Sequence, residues 1–346
     1  MSAITKASAW MTGAPLPNRR DESFRWTDIG RVLKALPPPS PPAYAPGWPG
    51  PFEGLADREA RFVNGIETGP ELLVLGDERV AARFISDAVS TAHFSRLKVQ
   101  VQPGAYAVLL ESYEGRGEGY FANVVLEIEV CAGAHLERIV VLDEPDTAVS
   151  VSTAEVHLHE RAQFSQFVAA SGAKLQRHET HLIHPGHGAS ARLDGVYVVG
   201  GARHADITTV LTHTGVGGET SELVKGVAAD TARAVFQGKI VVAHGADKTD
   251  ARMRHDALLL SDRAEVDAKP ELEIYADDVA CAHGNTVGAL DEEALFYAAQ
   301  RGVPPAEARA LLTKAFLAEV ADRIEDAGPR EAARVWVERR LEALTS

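Results

Sequence analysis

The chain has 346 residues, 45% of them hydrophobic and 24% charged, enough to bury a sizeable core in one large domain or two smaller ones. A formal charge of -14 without any basic stripe excludes non-specific nucleic-acid binding, which needs clustered Lys and Arg to displace counterions from phosphates. No run of about 18 apolar residues offers a membrane span, and the first twenty residues lack a sustained apolar signal core, so the expected compartment is the cytoplasm.

Residues 1–36 predict short amphipathic helices, with Trp26, Ile29, Val32 and Leu33 at helical spacing. The run PPPSPPAYAPGWPGP over 37–51 predicts an extended connector along the surface, because repeated Pro fixes φ and removes N–H donors. Phe24 and Trp26 are expected to pack into a core.

From about residue 70 to 288 the chain becomes rich in Val, Ile, Leu, Thr and Gly, with alternating stretches such as NVVLEIEV and LDGVYVV and almost no helix punctuation. Short strands recur beside small-residue corners: GAHLER, RAQFSQF, GAKLQR, GASARL, DTARAVF and RAEVDA. Each has a corner residue, then Ala, then an inward apolar residue two positions on, as expected for weak solenoid rungs whose corners admit only a small side chain. Their irregular spacing leaves a β-sandwich open. Beyond Gly288 the pattern is helical over 290–301, where Gly302 stops it, then from Pro304 or Pro305 to Val320, and from 330 to 344 after Gly328 and Pro329. The division expected is 1–69 helical with a Pro-rich connector, 70–288 the β core, and 289–346 a C-terminal helical domain. Those helices would cap the open end of a solenoid.

Chemistry concentrates in 272–301, LEIYADDVACAHGNTVGALDEEALFYAAQR. Leu272 and Ile274 alternate as in a half-buried strand, and Asp291, Glu292 and Glu293 fit a helix N-terminus. Side chains two residues apart on a strand share a face, so Cys281 and His283 could present sulfur and imidazole together, with Cα atoms roughly 6.5 Å apart. A buried thiol beside a hydrogen-bonded histidine fits the same spacing. Asp277 and Asp278 could recruit ferrous iron through oxygen or serve as a polar corner. The four histidines of HETHLIHPGHG, at 178, 181, 184 and 187, would alternate faces on strands, His178 and His184 one way and His181 and His187 the other. That disfavours a metal site and predicts solvent-facing ladder histidines. His157 and His159 share a face without an evident third ligand, and His213 is expected to hydrogen-bond at a corner.

The pieces VFQGKIVV, KTDARM, LLLS, EVDAKPELEIYADDV and CAHGNTVGALDEEALFYAAQRGV, spread over 235–303 without large gaps, resemble the C-terminal signature of the SufB/SufD family of iron–sulfur cluster assembly proteins, and of its SufD branch in particular. PLPNRRDESFRWTDIGRVL is similar to the N-terminal region of that branch. Asp247 stands where relatives commonly carry Gln. The resemblance implies a mainly β fold, a right-handed parallel β-helix flanked by small N- and C-terminal α-helical regions. It also implies a scaffold that pairs with the paralogue SufB through the β-helix and docks the ATPase SufC through its C-terminal helices. ATP would then be handled only through SufC, in keeping with the lack of any G-x-x-x-x-G-K-[ST] loop in this chain.

Iron–sulfur clusters are normally held by about four thiolates, with histidine an occasional substitute. Cys131 and Cys281 are the only cysteines, too few for that and too few for a disulfide framework, which fits a reducing compartment. A cluster on this chain would therefore be transient and completed by another protein. By correspondence with the family motif, His283 sits at the histidine implicated in cluster assembly with SufB, with Cys281 just before it. Two readings from other classes remain: a β-helix enzyme acting on polysaccharide, and a self-paired protein that closes a homodimer when isolated.

Overall fold

The computed structural model describes residues 2–43, 47–67, 72–184 and 186–345. It is a parallel β-helix of about seven turns. Two strands per turn feed two sheets. In chain order the strands are β1 (Arg58–Val63), β2 (Ile66–Glu67), β3 (Leu72–Leu75), β4 (Arg79–Ser86), β5 (Ala92–Val101), β6 (Tyr106–Gly115), β7 (Phe121–Val130), β8 (His135–Asp143), β9 (Val149–Leu158), β10 (Gln163–Ala170), β11 (Leu175–His184), β12 (Ser190–Val199), β13 (His204–His213), β14 (Glu219–Ala228), β15 (Arg233–Val242), β16 (Asp250–Leu259), β17 (Glu265–Ile274) and β18 (Ala280–Gly288). One sheet has the order β18-β16-β14-β12-β10-β8-β6-β4-β1-β2 and the other β17-β15-β13-β11-β9-β7-β5-β3. Strands begin at Arg58, with β1 and the antiparallel β2, and end with β17 and β18. The β-sandwich alternative falls, because every ladder from β3 to β18 is parallel.

The small-residue corners explain how the coil turns. Ala134, Ala162, Ala189 and Ala232 are fully buried, each next to the start of a strand. Leu136, Phe164, Ala191 and Ala234, two residues on, join the interior core. Left-handed backbone precedes the alanine in three of these corners, at Gly133 (φ 66°), Arg161 (φ 53°) and Gly188 (φ 62°). GAKLQR departs from the pattern. Leu175 faces outward, and Gln176 takes the inward place.

Parallel strands need both faces covered. The interior supplies one cover, and the flanking helices supply the other. On the outside of the eight-stranded sheet, α1 (Ala3–Trp10) and the segment through Phe24 and Ile29 pack on Phe121, Val125, Val149, Val151 and Leu175. Phe24 lies 4.3 Å from the Arg177 guanidinium and edge-on to Trp10, so its expected core role holds. Of the proline-rich run, residues 44–46 lie outside the described residues. The rest has no helix or strand beyond an isolated bridge at Pro39.

The C-terminal helices are α2 (Glu292–Gln300), α3 (Pro305–Ala321) and α4 (Ala327–Thr345). Gly302 ends the first, and Pro329 sits in the first turn of the last, where its missing N–H is harmless. The expected cap over the open end is not what they form. Leu317, Val320, Ile324, Trp336 and Val337 instead pack on Ile139, Val141, Phe167, Val196 and Val198, on the outer face of the ten-stranded sheet. The reason is that this outer face is apolar and would otherwise lie bare. Glu137 fixes the corner between the two longer helices by accepting the backbone N–H groups of Glu325 and Asp326, at 2.7 and 3.0 Å. Lys225 with Glu319, and Arg323 with Asp194 at 3.1 Å, hold its flanks.

Candidate functional site

With the helices on its flank, the last rung is left uncovered. β17 pairs only with β15 and β18 only with β16, so each sheet ends in a strand with a free edge among the described residues. Val266, Leu272 and Cys281 continue the interior core yet are only half-buried, while Ile274, Tyr275 and Val287 are exposed. An apolar, hydrogen-bonding face of this kind invites a partner.

Cys281 and His283 lie on β18, on the inward side. Their register partners on β16 are the buried Ala251 and Met253. Cys281 is half-buried and His283 exposed, because no further rung follows to cover them. Burial, with a smaller push from Asp250, raises the Cys281 thiol above the usual range, so it carries its proton at neutral pH. The thioether of Met253 beneath His283 has room because residue 238 is Gly, where a Cβ would stand 2.4 Å from its sulfur. Asp277 and Asp278 are exposed in the corner before β18, where the Asp278 carbonyl accepts the Lys248 N–H at 2.6 Å. No group of three or more His, Cys, Asp or Glu side chains is close enough to hold a metal among the described residues.

The histidine cluster divides differently from expectation. His178 and His184 are not solvent-facing but fully buried in the interior, because the inward side of β11 (Leu175–His184) is partly polar. His178 Nδ1 meets the Ser152 hydroxyl at 2.7 Å, and His184 stacks on His213 with centroids 4.3 Å apart. The His213 hydrogen bond goes to Thr220, at 3.0 Å. His181 faces outward and bonds Glu179 at 2.6 Å. His187 is exposed, and its Nδ1 accepts the Val216 N–H. His157 and His159 are also exposed, the latter 2.8 Å from Glu129.

Sequence reasoning missed a polar seam inside the coil. Arg138, fully buried, donates to both Glu111 oxygens at 2.8 Å and to Gln166 at 2.6 Å, while Thr180 also donates to Gln166 and the Tyr113 hydroxyl to Glu111. Glu222 accepts from Thr209 at 2.7 Å, and burial pushes its carboxyl up to about 8. Nearer the open end, the Tyr197 hydroxyl is 3.0 Å from His255 Nε2, and His255 Nδ1 is 2.7 Å from Asn285 Oδ1. The available signal was alternation: all of these occupy inward positions of their strands.

Residues 84–316 match the family model described as SUF system FeS cluster assembly, SufBD core domain. The chain belongs to the SufBD family. It is 34% identical over 257 residues to the iron–sulfur cluster assembly protein SufD of Escherichia coli, covering 74% of this chain and 60% of that protein. A SufBD family protein of Synechocystis is 29% identical over 238 residues, covering 66% and 52%. SufD of Bacillus subtilis is 33% identical over 170 residues, covering 49% and 38%. The matches thus span about half to three fifths of the first two relatives' length. No helix among the described residues is long and apolar enough to cross a membrane.

Proposed function

We propose that this chain is a non-catalytic scaffold subunit of iron–sulfur cluster assembly that meets the paralogue SufB at its open last rung and lends His283, with Cys281 behind it, to a cluster site shared between them. The observation that carries this reading is the exposure of His283 on an inward position of an uncovered rung, in a chain of the SufBD family with two cysteines. An imidazole at the mouth of the coil can reach a ligand held by a thiolate-bearing neighbour. The free edges of β17 and β18 offer backbone pairing to a second coil, and the exposed Ile274 and Val287 offer apolar area. The cluster is cargo rather than a resident cofactor, and a homodimer through the same face is the state expected of the isolated chain.

SufC docks, on this reading, at the C-terminal helices. A cavity of about 690 Å³ lies between them and the corners that follow β14 and β16, lined in part by Leu260, Leu290, Leu295 and Leu311. Phe296 and Tyr297 stand exposed beside it on α2. ATP hydrolysis belongs to that partner.

Co-expression with SufB and SufC tests the reading. A stable complex is expected, and His283→Ala is expected to lower cluster yield at least tenfold while leaving the complex intact. Normal yield would remove His283 from the site.

A further inference from the structure

Tyr197, His255 and Asn285 form a line of hydrogen bonds from the interior to the open end, and its buried terminus sets its direction. Tyr197 is 1% exposed, and His255 Nε2 is the one hydrogen-bond partner of its hydroxyl among the described residues. A buried O–H left without an acceptor is costly, so the phenol donates and Nε2 accepts. Burial keeps His255 neutral, which leaves its single proton on Nδ1, and that N–H donates to Asn285 Oδ1. With its oxygen engaged by His255, the exposed Asn285 keeps its amide nitrogen, and two N–H donors, for a ligand at the end face.

The line is built into the core. Phe236 stacks on the His255 ring at 4.8 Å and 6°, while residue 226 is Gly, where a Cβ would lie 2.0 Å from the Tyr197 ring. Asn285 occupies the same side of β18 as His283, two residues on, with Cα atoms roughly 6.5 Å apart. Amide donors at that distance from the His283 imidazole match one need of iron–sulfur chemistry, which is hydrogen bonding to electron-rich sulfur.

We propose that Asn285 donates hydrogen bonds to a sulfur atom of the cargo, a sulfide or a thiolate on iron beside His283, and that His255 and Tyr197 are positioning residues that aim its amide. This rests on the role given to His283 above. Such donors stabilise the more negative, reduced cluster and raise its potential.

The test uses the complex of the full chain with SufB and SufC, reconstituted anaerobically with ferrous iron and sulfide. Cluster content, midpoint potential and complex mass are then measured. The potential is expected to fall from wild type to Asn285→Ala, which removes the donors, and further in Asn285→Asp, which replaces them with a charge. Tyr197→Phe keeps the ring but frees Nε2, and a smaller fall is expected. Unchanged potential and content in both Asn285 variants would overturn the proposal, as would dissociation of the complex, which would assign the amide to a partner backbone. His283→Ala in parallel separates the two ideas: loss of cluster there with wild-type behaviour of the Asn285 variants rejects the relay alone, whereas full loading of His283→Ala rejects the site itself. Nitrogen-15 NMR of the isolated chain is expected to find His255 protonated on Nδ1, and protonation on Nε2 would overturn the direction of the line.

Discussion

Arg138 is the residue on which the interior depends most visibly. A guanidinium with no solvent exposure is tolerable only because Glu111 faces it bidentately and Gln166 takes a third N–H. Arg138→Ala would strand the Glu111 carboxylate in the core and is expected to cost about 3–5 kcal/mol in urea unfolding. Glu222 behaves differently, being buried without a cation. Its folded value of about 8 lies above the unfolded 4.5, so the native state binds the extra proton between these values, and stability falls as pH rises through that window. The slope contributed is at most about 1.4 kcal/mol per pH unit. Glu222→Gln keeps an acceptor for Thr209, and it is expected to flatten the pH dependence of unfolding between 5 and 8 and to be most stabilising at pH 8. An unaltered slope would show that some other group titrates there.

At the scale of elements, the two helical regions are covers, each placed by the apolar strip it hides. The N-terminal segment is strung along the outer face of the eight-stranded sheet by separate contacts: Asn123 with the Ala7 carbonyl, Arg177 under Phe24, Gln237 with the Ser23 carbonyl, and Lys269 with Glu22. Phe24→Ala removes the central one. Amides of residues 3–24 are expected to exchange faster by hydrogen-exchange mass spectrometry, with those of β10 and β12 unchanged, and a loss of about 3–5 kcal/mol confined to that segment. The corners were legible because an alanine in a tight turn followed by an inward apolar residue is a local signal, and Ala134, Ala162, Ala189 and Ala232 carried it. Leu175 was misread for the same reason that it is interesting: an apolar residue fits either face of a strand covered on both. His178 and His184 defeated the expectation that polar means outward, since the seam lets imidazoles find partners inside. The placement of the C-terminal helices was not legible, because a helix stripe records that it is covered and not by what.

For the whole molecule, the consequence is a polarised solenoid, clad along its sides and bare at its last rung. Cladding also changes how the proposed docking of SufC is best tested. Removing residues 289–346 would strip the cover from Ile139, Val141 and Val196, and binding would be lost along with the fold. Replacing Phe296 and Tyr297 with Asp spares the buried stripe, and it is expected to weaken SufC binding at least tenfold with an unchanged melting temperature. On the proposed pairing through the bare rung, amides of β17 and β18 are expected to gain protection on addition of SufB.

The most direct measurement is electron–nuclear double resonance on the cluster-loaded complex in which only this chain carries nitrogen-15 histidine. Hyperfine coupling to nitrogen-15 is predicted in the native complex and is predicted to vanish in His283→Ala. A fully loaded cluster without that coupling would contradict the claim that this chain lends an imidazole to iron.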